Sequence, residues 1–321
     1  MPPFTLNPTT LPPVIFVTGK GGVGKTTLCA LLAERACAAG RRTLVCGMEV
    51  TEALGPLLQA RDPLVHTPTA IRPGLDGLHL DIERAIVEAV ARLLPTPRLA
   101  RRLLDNRAFK RFLSTAPGAR GFSALEAVAE HVDSGQWDQI IVDLPATGHA
   151  LSLLDAPRAL AEAIGRGSVV DRAHRLQRML TDRRQSAMLL VTLPEEMPVN
   201  ETLELFEKAE TRLGVHPAMV VLNQLHAPPV RPALHGLLDR VLSAEDLTPA
   251  QQAHQRLVAQ GLLRAQSESA QRDRLGHGLG TVPLITLPWR PASSEHARLR
   301  ALLPHLDDLA ATWTPALEAL A

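Results

Sequence analysis

The sequence predicts an α/β fold in which one mostly parallel sheet is covered by helices on both faces. Three observations carry this expectation. A strand, a glycine loop and a helix follow one another over residues 14–39, short and fully apolar runs recur along the 321 residues, and helical patterning separates nearly all of those runs. Strands buried on both faces read as continuous apolar runs, and parallel neighbours need helix-length crossovers between them.

Residues 1–13, MPPFTLNPTTLPP, read as a flexible Pro-rich arm without the basic start of a secretory leader, and residues 14–321 as a single domain. Val14 to Val17 is β-branched and aromatic, and it runs into the glycines of TGKGGVG. Thr26 to Ala39 then reads as a helix closed by Gly40, and Thr43 to Cys46 as the second strand of a right-handed strand–helix–strand unit. Later strand candidates are Leu78 to Ile82, Gln139 to Val142, Ala187 to Leu193, Ala218 to Leu222 and Pro283 to Thr286. Residues 84–135 and 150–185 are helical in pattern without a convincing strand, and are expected to form a helical subdomain over the sheet. A third helical stretch at about 230–276 is polar, and a last strand and helix close the chain.

Composition excludes several function classes. Lys and Arg together number 34 against 33 Asp and Glu, so the basic excess of a phosphate-backbone binder is missing. There is no Tyr, with six Phe and three Trp, which argues against aromatic platforms for single strands. No nucleic-acid partner is therefore expected. No run approaches the roughly 18 apolar residues of a membrane span, so no stable membrane insertion is expected. Cys29, Cys37 and Cys46 are an odd set without C-x-x-C spacing, consistent with a reducing cytoplasm. Only Lys20, Lys25, Lys110 and Lys208 are lysines, and two of these four sit five residues apart in the glycine loop.

Gly19, Gly24, Lys25 and Thr26 fit G-x-x-x-x-G-K-[ST] between a strand and a helix, the context this phosphate loop requires. The backbone N–H groups of Gly19, Lys20, Gly21, Gly22, Val23, Gly24, Lys25, Thr26 and Thr27 would turn toward phosphate oxygens, aided by the positive end of the helix. Lys25 would reach the β- and γ-phosphates of ATP, and the Thr26 hydroxyl would sit on Mg²⁺. A second lysine in the loop, Lys20, adds like-charge repulsion unless a highly charged phosphate neutralises both. Gln139-Ile-Ile-Val-Asp143 ends an apolar strand in a carboxylate, where an open sheet presents ligand groups, so Asp143 would hold Mg²⁺ through water.

The loop G-K-G-G-V-G-K-T-T resembles the deviant Walker A loop of the ATPase class that includes MinD, ParA, nitrogenase iron protein and the arsenite-pump ATPase. In that class the extra lysine reaches the nucleotide across a dimer interface, which implies a face-to-face dimer and a catalytic role for Lys20 beside Lys25. Asp143-Leu-Pro-Ala-Thr-Gly-His149 narrows the resemblance to one branch, the arsenite-pump (ArsA) and tail-anchored-protein-targeting ATPases, as a single-half member with a P-loop NTPase fold. The similarity runs on through Leu151 to Pro157, and includes Ala116-Pro117-Gly118, Asn200-Glu201-Thr202 and Val221-Leu222-Asn223-Gln224. It implies that Asn223 bonds the adenine edge with Leu287 and Pro288 packing on the ring. It also implies that Thr147, Gly148 and His149 sense the γ-phosphate and move the helical subdomain.

The chain departs from that family in three places. Glu49, in Cys46-Gly-Met-Glu-Val-Thr-Glu-Ala-Leu54, stands where the family carries a water-positioning Asp, one methylene longer, with Glu52 as second candidate. A misplacement of about 1 Å can cost on the order of 10²-fold in rate, so either Glu49 works with a compensating loop or hydrolysis is slow. The metalloid cysteines of arsenite pumps and the C-x-x-C pair of the targeting ATPases are missing, which disfavours arsenite binding. The apolar stripe Leu99, Leu103, Phe109 and Phe112 lies among cations and reads first as a packed, solvated helix, with docking to an acidic partner or membrane surface as the rarer use. The expectation is a cytoplasmic, Mg²⁺-dependent ATPase, a homodimer or a heterodimer with a paralogue, that couples ATP state to an unidentified protein client. The alternative is a slow or inactive nucleotide-gated regulatory or scaffold subunit.

Overall fold

In a computed structural model of the protein, residues 12–48, 53–93, 106, 118–227, 240, 243–244 and 247–305 are described. Eight strands form one sheet: β1 (Val14–Gly19), β2 (Thr43–Gly47), β3 (Thr69–Arg72), β4 (Leu75–His79), β5 (Gln139–Asp143), β6 (Ser186–Thr192), β7 (Pro217–Leu225) and β8 (Leu284–Pro288). Their spatial order is β3-β4-β2-β5-β1-β6-β7-β8. Every neighbouring pair is parallel except the β3–β4 hairpin at the edge. The chain is thus an α/β protein with the mostly parallel sheet of a P-loop NTPase, and β1 lies between β5 and β6 near the middle.

Successive residues of β1 divide between two apolar layers, because side chains alternate across a strand. Ile15 and Val17 pack with helix α1 (Lys25–Ala38), the short α2 (Leu54–Leu57) and α9 (Glu295–Leu302) on one face. Val14 and Phe16 pack on the other face, with α3 (Ile82–Leu93), α4 (Ala119–Asp133), α5 (Thr147–Ile164), α6 (Ser168–Thr181), α7 (Glu196–Lys208) and α8 (Pro249–Leu279). The helices expected over 84–135 and 150–185 are therefore joined to the strands by one continuous apolar layer. Phe122, Leu125, Leu154 and Leu176 belong to the same cluster as Leu44 and Val142.

Two strand assignments differ from expectation. The run placed at Leu78 to Ile82 starts earlier, at Leu75, and stops at His79, because Asp81 accepts the Glu83 and Arg84 N–H groups at 2.9 and 3.2 Å and opens α3 at Ile82. Strand β3 carries no continuous apolar run, since only one side of an edge strand is paired and its residues are exposed or half-buried. The polar stretch placed at about 230–276 contains α8, which starts at a capping box of Thr248 and Gln251 and runs to Leu279. Residues 228–239 lie outside the description.

A charged cluster fastens α5 to the turn beyond α7. Asp155 is buried, and its carboxylate accepts from Arg158 Nε at 2.9 Å and from Arg212 Nη2 at 2.7 Å. Arg212 lies in a π-helical turn, Ala209–Leu213, that continues α7. Two thiols are buried around Asp143. Burial, with the Asp143 charge adding to it, pushes the Cys46 thiol up to about 12 and raises Cys29 well above its ordinary range.

Two expected outcomes follow from this packing. Gly121 lets α4 approach α5 so closely that an added Cβ would stand 2.7 Å from Ala156 Cβ and 2.9 Å from the Leu153 backbone. Gly121→Ala gains up to about 1 kcal/mol of helix propensity, but the overlap costs about 1–3 kcal/mol, so urea titration should show a net loss of stability. At pH 8, thiolate-selective alkylation of the native protein should modify the half-buried Cys37 and spare Cys29 and Cys46, and all three should react in guanidinium.

Candidate functional site

The loop between β1 and α1 occupies the carboxyl end of the sheet, and three neighbouring strands hold it. At Gly19, a Cβ would lie 2.1 Å from the Val191 carbonyl oxygen of β6, so the first glycine of the loop admits nothing larger. Gly24 caps α1 with φ 97° and ψ 28°, and a Cβ there would lie 2.3 Å from Asn223 Nδ2 of β7. At Gly21 and Gly22 a Cβ would meet no atom within 4 Å, so the middle of the loop faces open space. This is a cradle whose backbone is approached from one side by the sheet and left open on the other.

Thr26 of the motif reaches the third strand, β5. Thr26 Oγ1 donates to Asp143 Oδ2 at 2.7 Å, which joins the first turn of α1 to the end of β5. Val17 of β1 pairs in register with Asp143, and the Thr18 hydroxyl donates to the Pro145 carbonyl at 3.1 Å, so loop and switch segment share one frame. Lys25 is buried, and its ammonium approaches the Lys20 carbonyl at 3.4 Å. The ammonium of Lys20 itself lies 2.7 Å from Glu201 Oε1 on α7. Val23 is buried, and Thr27 is half-buried on α1.

The donor set suits a polyphosphate with its cation. Thr26 directs its proton to Asp143, which leaves hydroxyl lone pairs for a metal ion, and the buried Asp143 carboxylate supplies the compensating charge. Lys25 and the open loop supply the cation and the N–H groups that anionic oxygens require. Beyond Asp143, α5 begins at Thr147 after an N-cap, Ala146, that has no side-chain cap bond. The Thr147 hydroxyl is buried without a hydrogen-bond partner among the described residues, and Gly148 and His149 are exposed.

Asn223 has a role in the chain that its sequence context did not show. Its Nδ2 donates to the Val23 carbonyl at 2.8 Å and its Oδ1 accepts from the Gln224 N–H at 2.9 Å, so it braces the phosphate loop from β7. An amide has a second N–H and a second lone pair, which remain for a base edge. Leu287 is buried and Pro288 half-buried at the end of β8. The next residue, Trp289, stacks on His226 at 5.1 Å between ring centroids. The buried Glu268 of α8 holds His226 through its backbone N–H (2.9 Å) and Nδ1 (2.8 Å). His226 and Glu268 border a cleft of about 550 Å³ at the ends of β6 and β7, lined also by Leu193, Pro194 and Gln224. Sequence reasoning passed over His226, Trp289 and Glu268. The one available signal was an aromatic and an imidazole just past two buried strands. Glu49 and Glu52, with Ala116, Pro117 and the stripe from Leu99 to Phe112, lie outside the described residues.

Part of this site lies in residues that match known proteins. Residues 13–170, which contain the loop, Asp143 and Thr147 to His149, match the family model of anion-transporting ATPases. The ATPase BagA of Mycobacterium tuberculosis is 32% identical over 219 residues, 64% of this chain and 64% of that protein. The arsenical pump-driving ATPases of Escherichia coli and Acidiphilium multivorum are 30% and 29% identical over 224 residues. Those matches take in 65% of this chain and 34% of each pump protein. The chain thus spans about 64% of the mycobacterial relative's length and about a third of the pump ATPases'. A glycine loop braced by three strands and a T-G-H segment after the β5 carboxylate coincide with this match, so the chain is similar to the ArsA-like anion-transporting ATPases over the part that carries the loop.

Proposed function

We propose that the protein binds and hydrolyses ATP as a dimeric switch, and that the state of its nucleotide governs contact with a protein client. The observation that carries this reading is the 2.7 Å bond from Thr26 to Asp143 beneath an open glycine loop. It sets a hydroxyl and a carboxylate side by side where a triphosphate and its cation would lie. Lys25 would neutralise the β- and γ-phosphates, and the loop N–H groups would hold their oxygens. Mg²⁺ would be held by Thr26 and, through water, by Asp143, and when bound it would neutralise charge between the two phosphates. Asn223, Leu287 and Pro288 would receive the adenine.

Lys20 would act across a dimer, with a homodimer and a heterodimer with a paralogue both compatible with a chain that has one phosphate loop. Glu49 would position the attacking water. Thr147, Gly148 and His149 would read the γ-phosphate, and the helices joined to α5 would pass the change to the client. Asp155, which ties α5 to the turn after α7, supports that route. A cytoplasmic site of action would suit three cysteines without C-x-x-C spacing, and no helix among the described residues is long and apolar enough to cross a membrane. One sequence feature favours a second reading. Glu in place of Asp at position 49 suits a slow or inactive nucleotide-gated regulatory subunit.

Turnover separates these readings where ATP binding does not. Phosphate release by the wild type should exceed that of Lys25→Ala by at least about 10²-fold if Lys25 supports the transition state, with Glu49→Ala falling toward the Lys25→Ala rate. A wild type that binds ATP yet releases phosphate no faster than Lys25→Ala would overturn the enzyme reading in favour of the regulatory one. Sizing with ATP and Mg²⁺ should give a dimer, and a monomer in every nucleotide condition would remove the role given to Lys20.

A further inference from the structure

Lys20 and Glu201 are brought together by adjacent strands. Gly19, the last residue of β1, pairs with Val191 of β6, and α7 begins at Glu196 just past β6, so the residue after one strand faces the first turns of the helix after the other. The carboxylate of Glu201 lies 2.7 Å from the Lys20 ammonium, and both side chains keep about a third of their surface in water, at 35% and 29%. The Lys20 carbonyl faces Lys25 Nζ at 3.4 Å, so the two lysines of the loop are joined through Lys20's backbone while one of them carries an acidic partner. A carboxylate and a phosphate oxygen are competing acceptors for the same ammonium.

We infer that Glu201 is a positioning residue that competes with the nucleotide's phosphates for Lys20. The inference rests on the nucleotide-binding reading above. Before any dimer forms and Lys20 turns to the partner's nucleotide, polyphosphate in its own loop brings several negative charges against the single charge of Glu201, and Lys20 exchanges partners. The exchange frees the first turns of α7, whose far end is tied through Arg212 to Asp155 of α5. Helix α7 therefore receives a signal at Lys20 and meets the switch helix at its other end. Part of the free energy of nucleotide binding goes into separating the pair, which lowers affinity and makes α7 sensitive to occupancy.

Equilibrium titration with ADP and ATP tests this without relying on turnover. Glu201→Gln, which keeps size and removes the charge, should bind both nucleotides about two- to five-fold more tightly, the range expected of a half-exposed ion pair. In a Lys20→Met background the same change should leave affinity unaltered, and the gain should shrink in high salt. Glu204→Gln, one turn on and paired with Lys208, is the control for loss of charge on α7 and should leave affinity as in the wild type. A melting temperature for each variant establishes that it is folded. Unchanged or weaker binding by folded Glu201→Gln would overturn the inference alone, as would an equal gain from Glu204→Gln or in the Lys20→Met background. A wild type that binds neither nucleotide would overturn the nucleotide-binding reading and this inference with it.

Discussion

The hydrogen bond from Thr26 to Asp143 is the contact on which the site depends. It links the first turn of α1 to the end of β5, and the loop between β1 and α1 has to pass over it. A loop of glycines has little preference of its own, since glycine loses more conformational freedom on folding than any other residue. Its shape is imposed by neighbours. Val191 of β6 closes on Gly19, Asn223 of β7 holds the Val23 carbonyl, and Asp143 of β5 anchors Thr26. The central place of β1 brings all three within reach, so strand order is itself part of the binding geometry.

The two faces of the sheet divide the work. On one, α1 packs Leu28, Cys29 and Leu32 against β1 and keeps the loop's helix fixed. On the other, α4, α5 and α6 rest on each other and on the strands through a layer with little room for adjustment, as the close approach at Gly121 illustrates. Charged side chains join the helices of that face. Asp155 is buried between Arg158 and Arg212, and Glu126 is buried against Arg172. A buried carboxylate is costly to leave without its partners, so such pairs give helices defined relative positions rather than large net stability. Under the proposed switch, a change at the start of α5 would be carried through Asp155 and Arg212 to the end of α7 instead of being absorbed by slack packing.

Most of the sheet was legible because its strands are short apolar runs with helices between them. Val14 to Val17, Gln139 to Val142 and Ala187 to Leu193 each fall within one residue or two of the observed strands. The edge hairpin was not legible, because β3 is only four residues long, Thr69 to Arg72, and they are exposed or half-buried rather than an apolar run. The start of α3 was misread because Ile82 continues an apolar run, and only the Asp81 side chain turning back on Glu83 and Arg84 shows where the helix begins. The strand–loop–helix context of the glycine loop was legible, since the phosphate chemistry proposed for it needs glycine, lysine and a hydroxyl at fixed spacing on one such junction.

By itself, the sequence determined the fold class, the glycine loop between β1 and α1 and the carboxylate that ends β5, because local spacing and burial pattern are sufficient for each. The tertiary structure alone decided which distant groups meet there. Asn223 stands 200 positions from the carbonyl it binds, Glu201 is separated from Lys20 by five strands, and His226, Glu268 and Trp289 come from three different elements or their ends. No local pattern encodes such meetings. They follow from strand order, which depends on how the helices between the strands pack, and from the requirement that buried polar groups find partners wherever the fold brings them.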